Sequence, residues 1–194
     1  TGRGAISARP KATMRLLAFS DLHRDRRKAE RLVAMAEDVD VVVGAGDFAT
    51  MHQGLESTIR TLSPIAVPAV LVPGNAETEI ELWQACASWP SAHVLHGQAK
   101  EIAGARFFGL GGGVPATPFP WSFDLSEDEA AAKLESVGGR DPIPQSLWCT
   151  HRPRGTWTRP TGATWAAMRC WPRSSASNRR SSCAAISISA GDGR

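Results

Sequence analysis

The chain reads as an α/β domain built on a parallel sheet, and three observations carry that reading. Apolar strand-like runs at 15–20, 39–47 and 65–75 alternate with helical patterns at 24–39, 54–63 and 77–89. The second run, "VDVVVGAGD", is β-branched and continuous rather than alternating in polarity, as a strand covered on both faces requires. Each of the three runs also stops on a polar group at its carboxyl end: Asp21 and His23, Asp47, and Asn75.

The elements justify themselves in order. "LLAFS" supplies the first buried strand, and "RDRRKAERLVAMAEDV" places apolar residues at helical spacing beneath a charged face. After the second strand, "GLESTIRTLS" is a helix, "IAVPAVLVPGN" the third strand and "ETEIELWQACASW" a third helix. "HVLHG", "AKEIAG" and "ARFFGLGGG" then follow closely, with Gly104-Ala105 at a turn, which predicts antiparallel strands. "SEDEAAAKLESV" (126–137) is a helix opened by a capping box of Ser126 and Glu129. No internal repeat is present.

Size and composition allow one soluble domain with a real core: 194 residues, 42% hydrophobic and 21% charged. The net charge of +3 is uneven, because residues 148–194 hold eight arginines against Asp192, leaving 14 basic and 18 acidic residues before them. Cys86, Cys149, Cys170 and Cys183 show no CxxC spacing, so neither a zinc site nor a disulfide framework is indicated, and a reducing cytoplasm is the default. No run has membrane-spanning length. The opening "TGRGAISARPKAT" lacks a signal-peptide core, Met14 looks like the natural start, and residues 1–13 are expected to be a disordered extension.

The polar strand ends carry the chemistry. In extended backbone, residues i and i+2 project to one side, so Asp21 and His23 would aim at one spot past the first strand. The alternative is a helix start, with Ser20 or Asp21 as N-cap and His23 in the first turn. Open α/β sheets form their sites outside the carboxyl ends of the strands. Three such ends on one rim, each bearing a carboxylate, amide or imidazole, favour a metal site over capping.

In the order "DLH" (21–23), "GD" (46–47) and "GNAE" (74–77), the chain resembles the calcineurin-like metallophosphoesterase superfamily over about residues 14–147. The resemblance implies a layered α/β sandwich, here incomplete at its C-terminal end, and a metal-dependent hydrolase of phosphate mono- or diesters. It implies two divalent ions (manganese, iron, zinc or nickel), with Asp21 and His23 on the first, Asp47 bridging both and Asn75 on the second. His151, in "CTHRPRG", would stand for the family's lone later histidine. Ions about 3.5–4 Å apart would clamp a phosphoryl group and activate water, so no side-chain nucleophile is needed. The implied substrate is a small-molecule or nucleotide phosphoester; no membrane partner is expected, and a nucleic-acid partner ranks low.

Two departures stand out. Ala76 occupies the place where the family carries a histidine that protonates the leaving group or steadies the phosphate, a role worth about 10²–10⁴-fold. His52, His93 and His96 are replacements in principle only, and His93 and His96, three apart on a strand, face opposite sides. The family's late Gly-His-x-His is also missing.

The tail bears on that second absence. Residues 148–194 contain no Leu, Val or Phe, and Trp148, Trp157, Trp165 and Trp171 crowd among Arg, Ser and Pro. Such a segment lacks an aliphatic core of its own. Back-translation of Cys183–Ile188, read two bases in, permits Cys-Gly-His-Ile-His, and the same shift permits family-like text through 148–159 and 162–171. A shifted frame beginning between about residues 136 and 148 is the reading this supports. The alternatives are an inactive remnant that binds at most one metal, and a nucleic-acid-binding tail built on Arg and Trp, which ranks below disorder.

Three further motifs receive structural readings. "GLGGGVP" (109–115) is a glycine-rich turn that can border the cleft, since it lacks the pattern of a phosphate loop. "TPFPWSFD" (117–124) reads as a packed loop rather than a ligand platform. Arg24, Arg26, Arg27 and Lys28 form a solvated helix face, with Arg24 near enough to the rim to touch a phosphate.

Overall fold

The structure is a computed structural model that describes residues 14–138 and the backbone of the strand segments 146–149 and 184–188. Strands β1 (Met14–Phe19), β2 (Val41–Ala45), β3 (Ala69–Val72) and β4 (Ala92–Val94) alternate with helices α1 (Arg26–Met35), α2 (Leu55–Leu62) and α3 (Glu79–Ala85). A hairpin of β5 (Gln98–Ile102) and β6 (Ala105–Leu110) follows, then α4 (Glu127–Gly138), β7 (Ser146–Cys149) and β8 (Ala184–Ile188). One sheet has the order β4-β3-β2-β1-β8 and the other β5-β6-β7.

The layers follow from what each strand buries. Every residue of β2 and β3 is buried, which explains their unbroken apolar text. On one face of the first sheet, Leu17, Phe19, Val42 and Leu71 pack with Leu32 of α1, Ile59 and Leu62 of α2, and Leu82 of α3. On the other, Leu16, Val41, Val43 and Val70 meet Ile102 and Phe107 of the second sheet. Phe108 and Leu110 on the far side of that sheet pack with Leu125 and Ala130. The result is a layered sandwich of helices, sheet, sheet and helix, each layer burying one apolar face of the next.

β1, β2, β3 and β4 pair in parallel, with Leu16 beside Val41, Val42 beside Ala69 and Val70 beside His93. The placement of β4 corrects the sequence expectation that the "HVLHG" strand is antiparallel. The crossover through α3 returns the chain in the same direction, so Ala92–Val94 extends the parallel sheet. The β5–β6 hairpin is antiparallel as expected, but it turns at Ala103-Gly104 rather than Gly104-Ala105, and Ala105 opens β6.

Helix starts also match sequence chemistry. The Asp25 carboxylate caps α1 by accepting from Lys28 N–H. Thr78 and Glu81 form a reciprocal capping box on α3. At α4, Ser126 Oγ accepts from Glu129 N–H while Glu129 Oε2 accepts from Ser126 N–H, as its sequence predicts.

Beyond residue 138 only strand backbone is described. β7 pairs in parallel with β6 and β8 antiparallel with β1, so Trp148, Cys149 and Ala184–Ile188, within a tail read as lacking an aliphatic core of its own, have strand backbone. His151, the other tail arginines and tryptophans, and residues 1–13 lie outside the described residues.

Candidate metal centre

The first three strands deliver their polar groups to one rim. β1 ends at Phe19, and Asp21 and His23 follow in a loop whose backbone is left-handed at both (φ 57° and 45°). The extended geometry expected from the sequence is therefore not what aligns them. The loop is fixed instead by bonds across to the next strand end: Asp21 N–H donates to the Gly46 carbonyl, His23 N–H to Asp47 and Arg24 N–H to Phe48. The capping alternative fails as well, since α1 begins after both residues and is capped by Asp25.

Asp21, His23 and Asp47 each offer a ligand atom within 4.8 Å of the others, a group able to hold a metal ion. His23 Nε2 lies 3.6 Å from Asp21 Oδ1. Its Nδ1 donates to the Ala49 carbonyl at 3.1 Å, which leaves Nε2 as the ring's lone-pair donor toward the carboxylates. The hydrogen bond to Asp21 raises the His23 pKa above its usual value, helped by the Ala49 carbonyl and the charge of Asp47 against the effect of burial. A proton is thus drawn to a place where two carboxylates demand positive charge, and a divalent cation meets the same demand. The oxygen and nitrogen donors fit such an ion.

Asn75 belongs to the same rim. Its N–H and that of Ala76 donate to Asp47 Oδ1 at 3.0 and 3.2 Å. Its side-chain Nδ2 donates to Ser122 Oγ at 2.9 Å, which assigns the remaining amide atom as oxygen, a metal-competent donor. Asp21, His23, Asp47 and Asn75 are therefore brought together.

Glu77 closes the "GNAE" motif, but motif reading gave it no role. It is fully buried, and its carboxylate accepts from Asp47 N–H and Gly74 N–H (2.8 Å each) and from Ala49 N–H (2.9 Å). One side chain thus ties the loops after β2 and β3 together beneath the metal-capable group. Burial pushes its pKa up, opposed by those backbone donors. The signal was available: an acid two residues after the strand-ending asparagine, beside a small apolar Ala76 that is itself buried.

The histidines sort clearly. His52 Nδ1 lies 2.8 Å from Glu81 Oε2 and its Nε2 faces the Trp121 carbonyl. Both partners are acceptors, so the ring is satisfied as an imidazolium, and its pKa is raised chiefly by Glu81. With both N–H groups committed, His52 does not replace the histidine missing at position 76. His96 is buried, accepts from Gly111 N–H and is pushed down to about 4 by burial. His93 sits 3.0 Å from Lys100 Nζ.

The glycine-rich turn is structural, as its sequence predicts. A Cβ at Gly111 would lie 2.3 Å from the Pro73 carbonyl, so glycine lets the end of β6 cross the loop that carries Asn75.

This geometry coincides with a family assignment. Residues 14–114 match the model of the calcineurin-like phosphoesterase superfamily domain, and the chain belongs to that superfamily. Among solved structures it is similar to TT1561 of Thermus thermophilus, with 19% identity, a TM-score of 0.65, and coverage of 78% of this chain and 74% of that one. A second crystal structure aligns with a TM-score of 0.60 at 14% identity, covering 77% of this chain and 74% of that one. At these identities the likeness concerns the fold. No curated protein is significantly similar to the chain. The family and the metal-capable group together point to metal-dependent phosphoester hydrolysis. Among the described residues, no helix is long and apolar enough to cross a membrane.

Proposed function

We propose that this protein hydrolyses a phosphate mono- or diester at a dinuclear metal centre. The observation that carries the proposal is the convergence of Asp21, His23 and Asp47 within 4.8 Å on one rim, with Asn75 bonded to Asp47. In this reading Asp21 and His23 hold one divalent ion, Asp47 bridges two, and Asn75 and His151 complete the set. Bound metal supplies charge neutralisation at the phosphoryl oxygens and an acidified water. The chain's own residues do the rest. Glu77 fixes the two loops in register, and the Ala49 carbonyl holds His23 in the tautomer that presents Nε2. Ala76 removes an acid from the leaving-group side, which favours esters whose leaving group departs without protonation. A soluble cytoplasmic enzyme is the setting this reading carries.

The decisive experiment is Asp47→Asn, followed by elemental analysis and by bis-p-nitrophenyl phosphate hydrolysis with added manganese. Bound metal should fall and any residual hydrolysis should vanish; unchanged metal stoichiometry would sink the dinuclear assignment. The tail adds a second arm, since we infer that the late Gly-His-x-His lies in a shifted frame. The chain as it stands should be weakly active or inactive, and one with the frame restored after about residue 140 should gain activity. Full activity in the former would overturn the frameshift.

A further inference from the structure

The loop 117–124 was expected to be packed, yet it holds two large aromatic rings beside the rim and leaves one of them open. Phe119 is 55% exposed and stacks on Trp121, with centroids 5.7 Å apart and planes 22° from parallel. A ring so exposed on an untethered loop would mean little, but this loop is fixed. Pro118 and Pro120 flank Phe119 and restrict the backbone on either side of it. Asp124 Oδ2 accepts from both Thr117 N–H and Thr117 Oγ1, closing the base of the loop.

The fixing points lead to the metal-capable rim. Ser122, next to Trp121, accepts from Asn75 Nδ2, and Phe123 N–H donates to the Asn75 carbonyl at 2.9 Å. His52 donates to the carbonyl of Trp121 itself. Asn75 in turn donates to Asp47. The stacked pair is therefore tied, through one residue, to the group that would hold the phosphoryl centre. Phe119 keeps more than half of its surface in solvent. A planar ring added there would continue the stack and cover apolar surface that is otherwise wet.

We propose that Phe119 and Trp121 form an aromatic shelf that receives the planar ring of the substrate's organic group, so that the substrates are aryl or nucleoside phosphoesters rather than sugar or alkyl ones. This rests on the phosphoesterase reading above and specifies its substrate class. The ring is held by its face, which is sequence-tolerant chemistry, and phosphate is held at the other end by the metal centre.

The test uses ligands that cannot be hydrolysed. Binding of phenylphosphonate, of the 5′-methylenephosphonate of adenosine, of methylphosphonate and of inorganic phosphate is measured calorimetrically on the full manganese-loaded chain. Either ring-bearing ligand should bind about ten-fold tighter than methylphosphonate, the size of one base-on-aromatic stacking contact. Phe119→Leu, an exposed change that leaves folding intact, and Trp121→Ala should each erase that advantage while inorganic phosphate binds as before. An advantage for the adenosine ligand alone identifies a nucleobase, and one for both identifies any aryl ring; either supports the shelf. Equal binding of all three phosphonates, with phosphate still bound, overturns the shelf and leaves the phosphoesterase reading standing. Failure of phosphate and every phosphonate to bind this chain overturns the shelf; the same failure in the chain with the frame restored after about residue 140 overturns the phosphoesterase reading as well.

Discussion

Among the described residues, left-handed backbone at non-glycine positions occurs in two regions, and the two mean different things. Asp21, His23, Arg24, Asp47, Met51 and His52 carry positive φ in the loops after β1 and β2, and Ala103 carries it in the β5–β6 turn. At the turn, Gly104 follows with φ +76°, and a Cβ added there would meet nothing within 4 Å. That strain is the ordinary chemistry of reversing a hairpin. On the rim, the same backbone holds two carboxylates and an imidazole at one point, against loops braced by Glu77. Strain in itself does not mark a site; strain held in place by buried polar partners does.

Glycine substitution separates the two regions most sharply. Gly74 is not left-handed, yet a Cβ there would fall 2.1 Å from Asp47 Oδ1 and 2.3 Å from Asp47 N. Gly74→Ala must therefore displace the residue proposed to bridge the metals. We expect a loss of about 2–3 kcal/mol in denaturant unfolding, typical of overpacking, together with loss of bound metal. Gly104→Ala should cost about 1 kcal/mol, the strain of an L-residue in that backbone, and leave metal content unchanged. Equal effects of the two on metal content would break the distinction.

Glu77→Gln comes between these in size. With the amide oxygen at the Oε1 position, Asp47 and Gly74 keep their acceptor, but Ala49 N–H then faces an NH₂. One buried donor left against another donor should cost about 2 kcal/mol. Metal affinity should fall too, because Ala49 also supplies the carbonyl that orients His23. A Gln variant with wild-type stability and metal content would show that Glu77 is not the brace.

How far the sequence reached follows from which forces are local. Strand–helix alternation, the capping box at Ser126 and the polar ends of three strands are written in adjacent residues, so the layered fold and Asp21, His23, Asp47 and Asn75 were legible. The parallel placement of β4 was not, because direction is decided by the crossover through α3 and not by the text of "HVLHG". Nor was the way Asp21 and His23 converge. That depends on backbone bonds to Gly46 and Asp47, some twenty-five residues away in sequence. Glu77 was visible as a letter, but its role needs three amide donors from two different loops. The way the loop 117–124 is held was hidden for the same reason: its partners are Asn75 and His52.

The smallest expected effect concerns the link between rim and aromatic loop. His52 is flanked by the Glu81 carboxylate and the Trp121 carbonyl, with the charge of Glu77 nearby, and its pKa is raised above 6.5 chiefly by the bond to Glu81. A group whose pKa is higher in the folded state stabilises that state fully below its unfolded value. The contribution is lost as pH rises through the folded value. The stability gap between the protein and His52→Gln should therefore be greatest near pH 6 and shrink steadily above pH 6.5. Glu81→Gln, which removes the chief cause of the shift, should flatten the dependence while leaving the Trp121 carbonyl its donor. Urea unfolding of the three proteins from pH 6 to pH 9 reads this directly. A gap that stays constant over that range would mean that His52 is not held as an imidazolium. The bond to the Trp121 carbonyl would then come from a neutral ring protonated at Nε2.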